Sequence, residues 1–127
     1  MRQAAVALIE KHGLFLSVSR KDDPNIRGFA GGSCNENEDP SDAMVRELYE
    51  ETGLIAREYE FFFKDYDGHD FETTCFLVTK YEGNAFQKED GVVEWVEREK
   101  LETGPFGWYN KKVFEKFFLN KNNIIFI

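Results

Sequence analysis

Glu47, Glu50 and Glu51 stand at the spacing that gathers side chains along one side of a helix. With 100° of turn per residue and Met44 set at zero, Glu51 falls at about 340°, Glu47 at about 300° and Glu50 at about 240°. Met44, Leu48 and Val45 fill the next arc, from about 0° to about 100°. One arc can therefore be buried while its neighbour presents acids. Like charges three and four residues apart repel and weaken a bare helix. A divalent cation turns that repulsion into coordination, and an all-oxygen ligand set favours Mg²⁺, or Mn²⁺, over Zn²⁺. Such an ion can make bound water nucleophilic and neutralise negatively charged oxygens. Arg46, at about 200° on the same reckoning, lies beside Glu50 and can orient a carboxylate. The plain alternative is a solvated helix face.

The elements that must position these acids are marked in the sequence. Asp39 is a capping residue, Pro40 suits the first helical position, Asp42 favours the first turn, and Gly53 is a stop signal. Before the helix, the apolar run Gln3–Glu10, the turn Lys11-His12-Gly13 and the alternating segment Leu14–Ser19 predict a hairpin. Residues 20–38 read as a polar loop, long enough in a small domain to be functional. Glu58–Lys64, Thr73–Tyr81 and Val92–Glu97 predict strands. A last helix is expected from near Asn110, with Val113, Phe114, Phe117 and Phe118 on one face. The apolar tail 124–127 reads as a final strand or a packed end. The order β-β-α-β-β-β-α predicts an α+β fold, one mixed sheet with helices packed on it.

The chain has 127 residues, 42% of them hydrophobic, with thirteen Phe, which is enough for one core and excludes intrinsic disorder. We read residues 1–127 as a single domain. No apolar run reaches membrane-spanning length and no signal peptide is visible, so a cytoplasmic protein is expected. Cys34 and Cys75 make no motif and read as reduced thiols. A net charge of −8 argues against broad nucleic-acid binding. It leaves a small phosphate substrate open, because bound metal ions invert the local field. Residues 36–51 carry seven acids against Arg46 alone, whereas Arg2, Lys11, Arg20, Lys21 and Arg27 make residues 1–30 mildly basic. That asymmetry suggests a cation site beside an anion site. His12 and His69 stand without zinc spacing.

The acids belong to a longer pattern, Gly32-x5-Glu38-x7-Arg46-Glu47-Leu48-x-Glu50-Glu51-x-Gly53-Leu54. At every defined position it matches the Nudix box, G-x5-E-x7-R-E-U-x-E-E-x-G-U with U apolar. The chain thus resembles the Nudix hydrolase family, and its flanking segments resemble the MutT-type members. The resemblance implies a Nudix fold, a mixed β-sheet sandwiched between α-helices. It also implies a Mg²⁺-dependent pyrophosphohydrolase acting on a nucleotide, as a monomer or homodimer. Carried over by position, Glu47, Glu50, Glu51 and the Gly31 carbonyl would be metal ligands. Arg46 would orient Glu47, and Glu38 would support the loop. The implied substrate is a nucleoside triphosphate, such as a purine or oxidised deoxynucleotide, cut to the monophosphate and pyrophosphate. Alternatives are ADP-ribose or a dinucleotide, or a non-catalytic nucleotide sensor. The family's ADP-ribose hydrolases carry a Pro about 16 residues past the box, where Asp70 stands here, and sensors tend to lose box acids that this chain keeps.

Three further segments resemble MutT-type enzymes. Glu89-x4-Glu94-Trp95-Val96 makes Glu89 a metal ligand or general base, or else a surface loop acid. Gly104-Pro105-Phe106-Gly107-Trp108-Tyr109-Asn110 makes Asn110 a reader of the purine edge, or else a helix cap. Arg20 is a phosphate contact or an ordinary strand-end charge. Phe71 or Tyr66 could stack on a base. Two positions depart from the pattern: Ala30 replaces the usual Pro before Gly-Gly, and Asn37 the usual Gly before Glu38.

Overall fold

A computed structural model of the chain describes residues 1–86 and 91–125, the last four by backbone alone. Their strands are β1 (Arg2–Leu8), β2 (Glu10–Lys11), β3 (Leu14–Ser19), β4 (Arg27–Gly28), β5 (Ala30–Ser33), β6 (Ile55–Tyr66), β7 (Phe71–Glu82) and β8 (Val93–Val96). The helices are α1 (Pro40–Thr52) and α2 (Gly107–Ile125), with one 3₁₀ turn at Arg98–Lys100. The architecture is α+β.

The expected single sheet is two sheets. The first runs β5-β1-β7-β6 and is mixed, with β1 parallel to β7 and antiparallel to β5. The second is antiparallel and centred on β3. Val18 pairs with both Gly28 and Val93, and Phe15 with both Glu10 and Val96. Strands β2 and β4 therefore share one edge of β3, and β8 takes the other. The expected hairpin is correspondingly smaller. It joins β2 to β3 through a two-residue turn at His12 and Gly13, whose φ angles of 53° and 81° are the left-handed values such turns need. Strand β1 belongs to the other sheet, and the fully buried Ile9 is where the chain crosses. The segment 20–38 is only partly loop, since it contains β4 and β5.

Alternation along β1 builds two cores. Ala5 and Ala7 face Met44 and Leu48 of α1, while Leu8 and Val6 face Phe15 and Phe114 on the α2 side. The mixed sheet is thus covered by a helix on each face, as expected. Ala5, Ala7, Ala30 and Ala43 of the first core let α1 approach the sheet closely. The second core is aromatic. Phe15 meets the Phe114 and Phe117 rings edge to face at 4.8 and 5.7 Å. Each such pair contributes about 0.5–1.5 kcal/mol beyond the area it buries.

Helix α1 starts and stops where its signals predict, with Pro40 in its first turn and Gly53 at φ 81°. The Gly53 N–H donates to the Tyr49 carbonyl at 2.9 Å, a left-handed closure that a Cβ would strain. The Asp39 side chain makes no cap; its backbone carbonyl accepts the Ala43 N–H instead. Helix α2 begins at Gly107, three residues before the expected start, and its backbone continues through Ile125, so no strand starts at Ile124. Among the described residues, no helix is long and apolar enough to cross a membrane.

Candidate active site

Strand β5 is an edge strand, and its register decides what it offers. Cys34 N–H bonds to the Gln3 carbonyl, so Gly32 opposite Ala5 is a hydrogen-bonded position and Gly31 opposite Val6 is not. The N–H and carbonyl of Gly31 therefore point away from β1, toward α1. The Gly31 N–H is taken at 2.7 Å by Glu51 Oε1. The Ser33 carbonyl, two residues on, points the same way and accepts from Arg46 Nη2 at 3.2 Å. Glycine is required at 31, where the neighbours are backbone, and at 32 it leaves room for the Glu47 carboxylate. A Cβ on Gly31 would overlap the Ala5 carbonyl oxygen, and one on Gly32 would lie 2.8 Å from Glu47 Cδ.

Arg46 organises the acids. Its Nε and Nη2 each donate to Glu38 at 2.9 Å, and Nη1 reaches Glu47 Oε1 at 2.8 Å and Glu50 Oε2 at 3.3 Å. Glu38 also accepts the Asn35 N–H. The Arg46 bonds, then the Asn35 bond, hold the Glu38 carboxyl down at about 2. Glu38, and after it Glu47, raise the Arg46 guanidinium above its ordinary range. Asn37 adopts φ 63°, so it supplies the left-handed turn that glycine supplies in the family pattern. Ala30, in place of Pro, is fully buried in β5 opposite Ala7.

A cavity of about 410 Å³ opens beside this framework. Gly31, Gly32, Glu51, Phe71, Phe106 and Asn110 are all among its lining residues. Arg20 is on its wall, with its guanidinium paired to both Asp22 oxygens at 3.0 and 3.1 Å. Asn110 is the fourth residue of α2, so the cap alternative fails. It is 2% exposed, and its Nδ2 donates to the Leu101 carbonyl at 2.8 Å. Tyr66 is not among the lining residues, whereas Phe71 is. Glu89 lies outside the described residues. Sequence reading overlooked Arg27, Asp67 and Phe106 as cavity residues. No local pattern in the sequence signals Arg27, since β4 is only two residues long.

The donors fit a hard divalent cation. Carboxylate oxygens and the outward Gly31 carbonyl form an oxygen set with no thiolate or imidazole in it. The Glu47 carboxylate fits against bare Gly32 backbone, a place only glycine leaves open. Among the described residues, no three acidic, His or Cys side chains converge on one point as a finished cage. Arg46 draws Glu47 and Glu50 toward itself, and Glu51 turns to Gly31.

With this geometry in hand, the relatives of the chain can be weighed. A NUDIX domain model matches residues 1–117. The 8-oxo-dGTP diphosphatase of Escherichia coli (strain K12) is 32% identical over 121 residues, covering 90% of this chain and 94% of that protein. The 8-oxo-dGTP diphosphatase of Haemophilus influenzae is 32% identical over 100 residues, covering 76% and 74%. Among solved structures, a MutT protein from Methanosarcina mazei Go1 superposes with a TM-score of 0.74 at 22% identity, covering 94% of each chain. The chain belongs to the NUDIX family. It is a hydrolase of the MutT type, an enzyme of the pyrophosphohydrolase class. Divalent metal ions are the general cofactors of that family.

Proposed function

We propose that the chain hydrolyses a nucleoside triphosphate to the monophosphate and pyrophosphate with Mg²⁺, Mn²⁺ being able to replace it. The substrate is a purine deoxynucleotide, including an oxidised one, as the names of the 8-oxo-dGTP diphosphatase relatives suggest. The observation that carries this reading is the cavity itself, whose lining includes Glu51 and Gly31 together with Asn110 and the Phe71 and Phe106 rings. That combination suits a phosphate chain at one part and a base at the other. Glu47, Glu50, Glu51 and the Gly31 carbonyl would hold the metal, which supplies charge neutralisation on the phosphate oxygens and an acidified water. Arg46 sets the carboxylate positions. Water adds to phosphorus, the anhydride P–O bond breaks, and a carboxylate takes the water's proton. Glu50, whose Oε2 faces Arg46, is the first candidate for that step, and Glu89 is the second. Arg20 neutralises phosphate at the wall. Such a substrate is a small cytoplasmic molecule, and nothing in the reading needs nucleic acid or membrane.

The test is a nucleotide panel with Mg²⁺ on wild type and Glu50→Gln. Wild type should release pyrophosphate from at least one nucleoside triphosphate, and the variant should lose about 100-fold or more in kcat. Equal rates would remove Glu50 from the mechanism.

A further inference from the structure

Arg27 has no role in the account so far, yet it is the best-covered cation on the cavity wall. Its side chain is 14% exposed, against 54% for Arg20. Arg27 pairs with Ser19 across β3–β4, and Glu94 pairs with Ser17 across β3–β8. The four residues therefore share one face of the second sheet, and the small serines let the guanidinium cross β3 to reach Glu94. Nη2 meets Glu94 Oε2 at 3.4 Å. Nη1 is shielded from water and, among the described residues, has no hydrogen-bond partner. The polar groups nearby bond elsewhere. The Ser17 hydroxyl donates to the Glu94 carbonyl. The Ser19 hydroxyl donates to the Arg20 carbonyl and accepts the Val92 N–H. Asp67, also on the wall, gives Oδ1 to the His69 and Phe71 N–H groups.

A buried donor without a partner is costly and rare, and its natural relief is an acceptor that arrives with a ligand. The charge of Arg27 is already matched by Glu94, so the vacant donor suits a neutral oxygen better than a phosphate dianion. Its surroundings agree. Phe29, Phe71 and Phe106 line the same cavity, and the Phe106 ring comes within 3.9 Å of where a Cβ on Gly28, next to Arg27, would sit. Flat apolar walls suit a base, whereas Arg20 and Lys21 line the cavity as more exposed cations.

We propose that Arg27 is a specificity-determining residue whose Nη1 donates to the 6-keto oxygen of a purine bound in this cavity. The proposal rests on the nucleotide reading above. It makes 6-oxo purines preferred over 6-amino purines through this side chain, because an amino group there would present a donor to a donor.

Equilibrium binding of dGMP and dAMP separates this from catalysis. Calorimetry should give wild type a Kd for dGMP about tenfold or more below that for dAMP. Arg27→Met should weaken dGMP about tenfold and change dAMP less than about twofold. Arg27→Lys, which keeps the charge but loses the planar fork, should also erode the preference and serves if the Met variant fails to fold. An equal loss for both ligands would make Arg27 a phosphate contact or a structural residue and overturn the proposal. Wild type that binds or cleaves nucleotides without a 6-oxo preference overturns it too, leaving the enzymatic reading intact. No binding and no hydrolysis of any nucleotide would remove both.

Discussion

Arg46 clasps both oxygens of Glu38, with Nε on one and Nη2 on the other, each at 2.9 Å. The clasp ties the loop before α1 to the helix that carries the acids. Because the Arg46 and Asn35 bonds favour the charged form, the Glu38 carboxyl falls from the ordinary 4.5 to about 2. A depressed acid stabilises the fold above its unfolded value, and that contribution is lost as pH falls toward the folded value. The melting temperature should therefore drop between pH 4.5 and pH 2. Glu38→Gln should melt lower at pH 7 and show a shallower acid slope by circular dichroism. Identical slopes would detach Glu38 from the acid transition.

Two adjacent glycines should fail in different ways. Gly31→Ala drives a methyl into the Ala5 carbonyl and to 2.7 Å from Val6 Cα, both rigid backbone. It should cost about 2 kcal/mol or more in urea unfolding. Gly32→Ala meets only the end of the Glu47 side chain, at 2.8 Å from Cδ. It should cost less than about 1 kcal/mol of stability while lowering kcat, because the displaced group is a proposed metal ligand. Matching losses of stability in the two variants would contradict the distinction.

Asn110→Ala tests a residue with two roles. Removing Nδ2 leaves the Leu101 carbonyl without that donor inside the protein, a loss of about 1–3 kcal/mol in chemical denaturation. Discrimination between purine and pyrimidine triphosphates should weaken as well. A stability loss with unchanged preference would confine Asn110 to holding Leu101.

The thiols should react unequally. Burial pushes both upward, and Cys75, fully buried on β7, is displaced well above the ordinary range. A thiol reagent at pH 8 should label Cys34 in the folded protein and reach Cys75 only after denaturation. Equal labelling rates, followed by mass spectrometry, would mean the sheet opens readily.

How much of this was legible depends on how local each signal is. Helix α1 was readable because Pro40, the Met44–Leu48 spacing and Gly53 are local instructions. The box pattern likewise placed Glu38, Arg46 and the acids near one another, and the structure connects Arg46 to Glu38, Glu47 and Glu50. Strands β4 and β5 were not readable. Arg27-Gly28 and Ala30-Gly31-Gly32-Ser33 have no β-branched residue and no alternation. Their strand state comes from pairing with β3 and β1, contacts that no local pattern announces. Alternation in Leu14–Ser19 marked a strand but could not name its partner, so β1 was paired wrongly. Arg27 looked like loop charge because its burial depends on Ser17 and Ser19 being small, two positions on a different strand.

The chain passes between its sheets at Ile9 and again at Phe29, each time through one buried residue. Crossings that short leave no slack, so the slot between Gly31 on one sheet and Arg27 on the other is braced at a fixed width. A molecule held in that slot would meet both sheets at once. The proposed metal ligands stand on α1 and β5, whereas Arg27 stands on β4 of the other sheet, so the cavity joins elements that no single sheet carries.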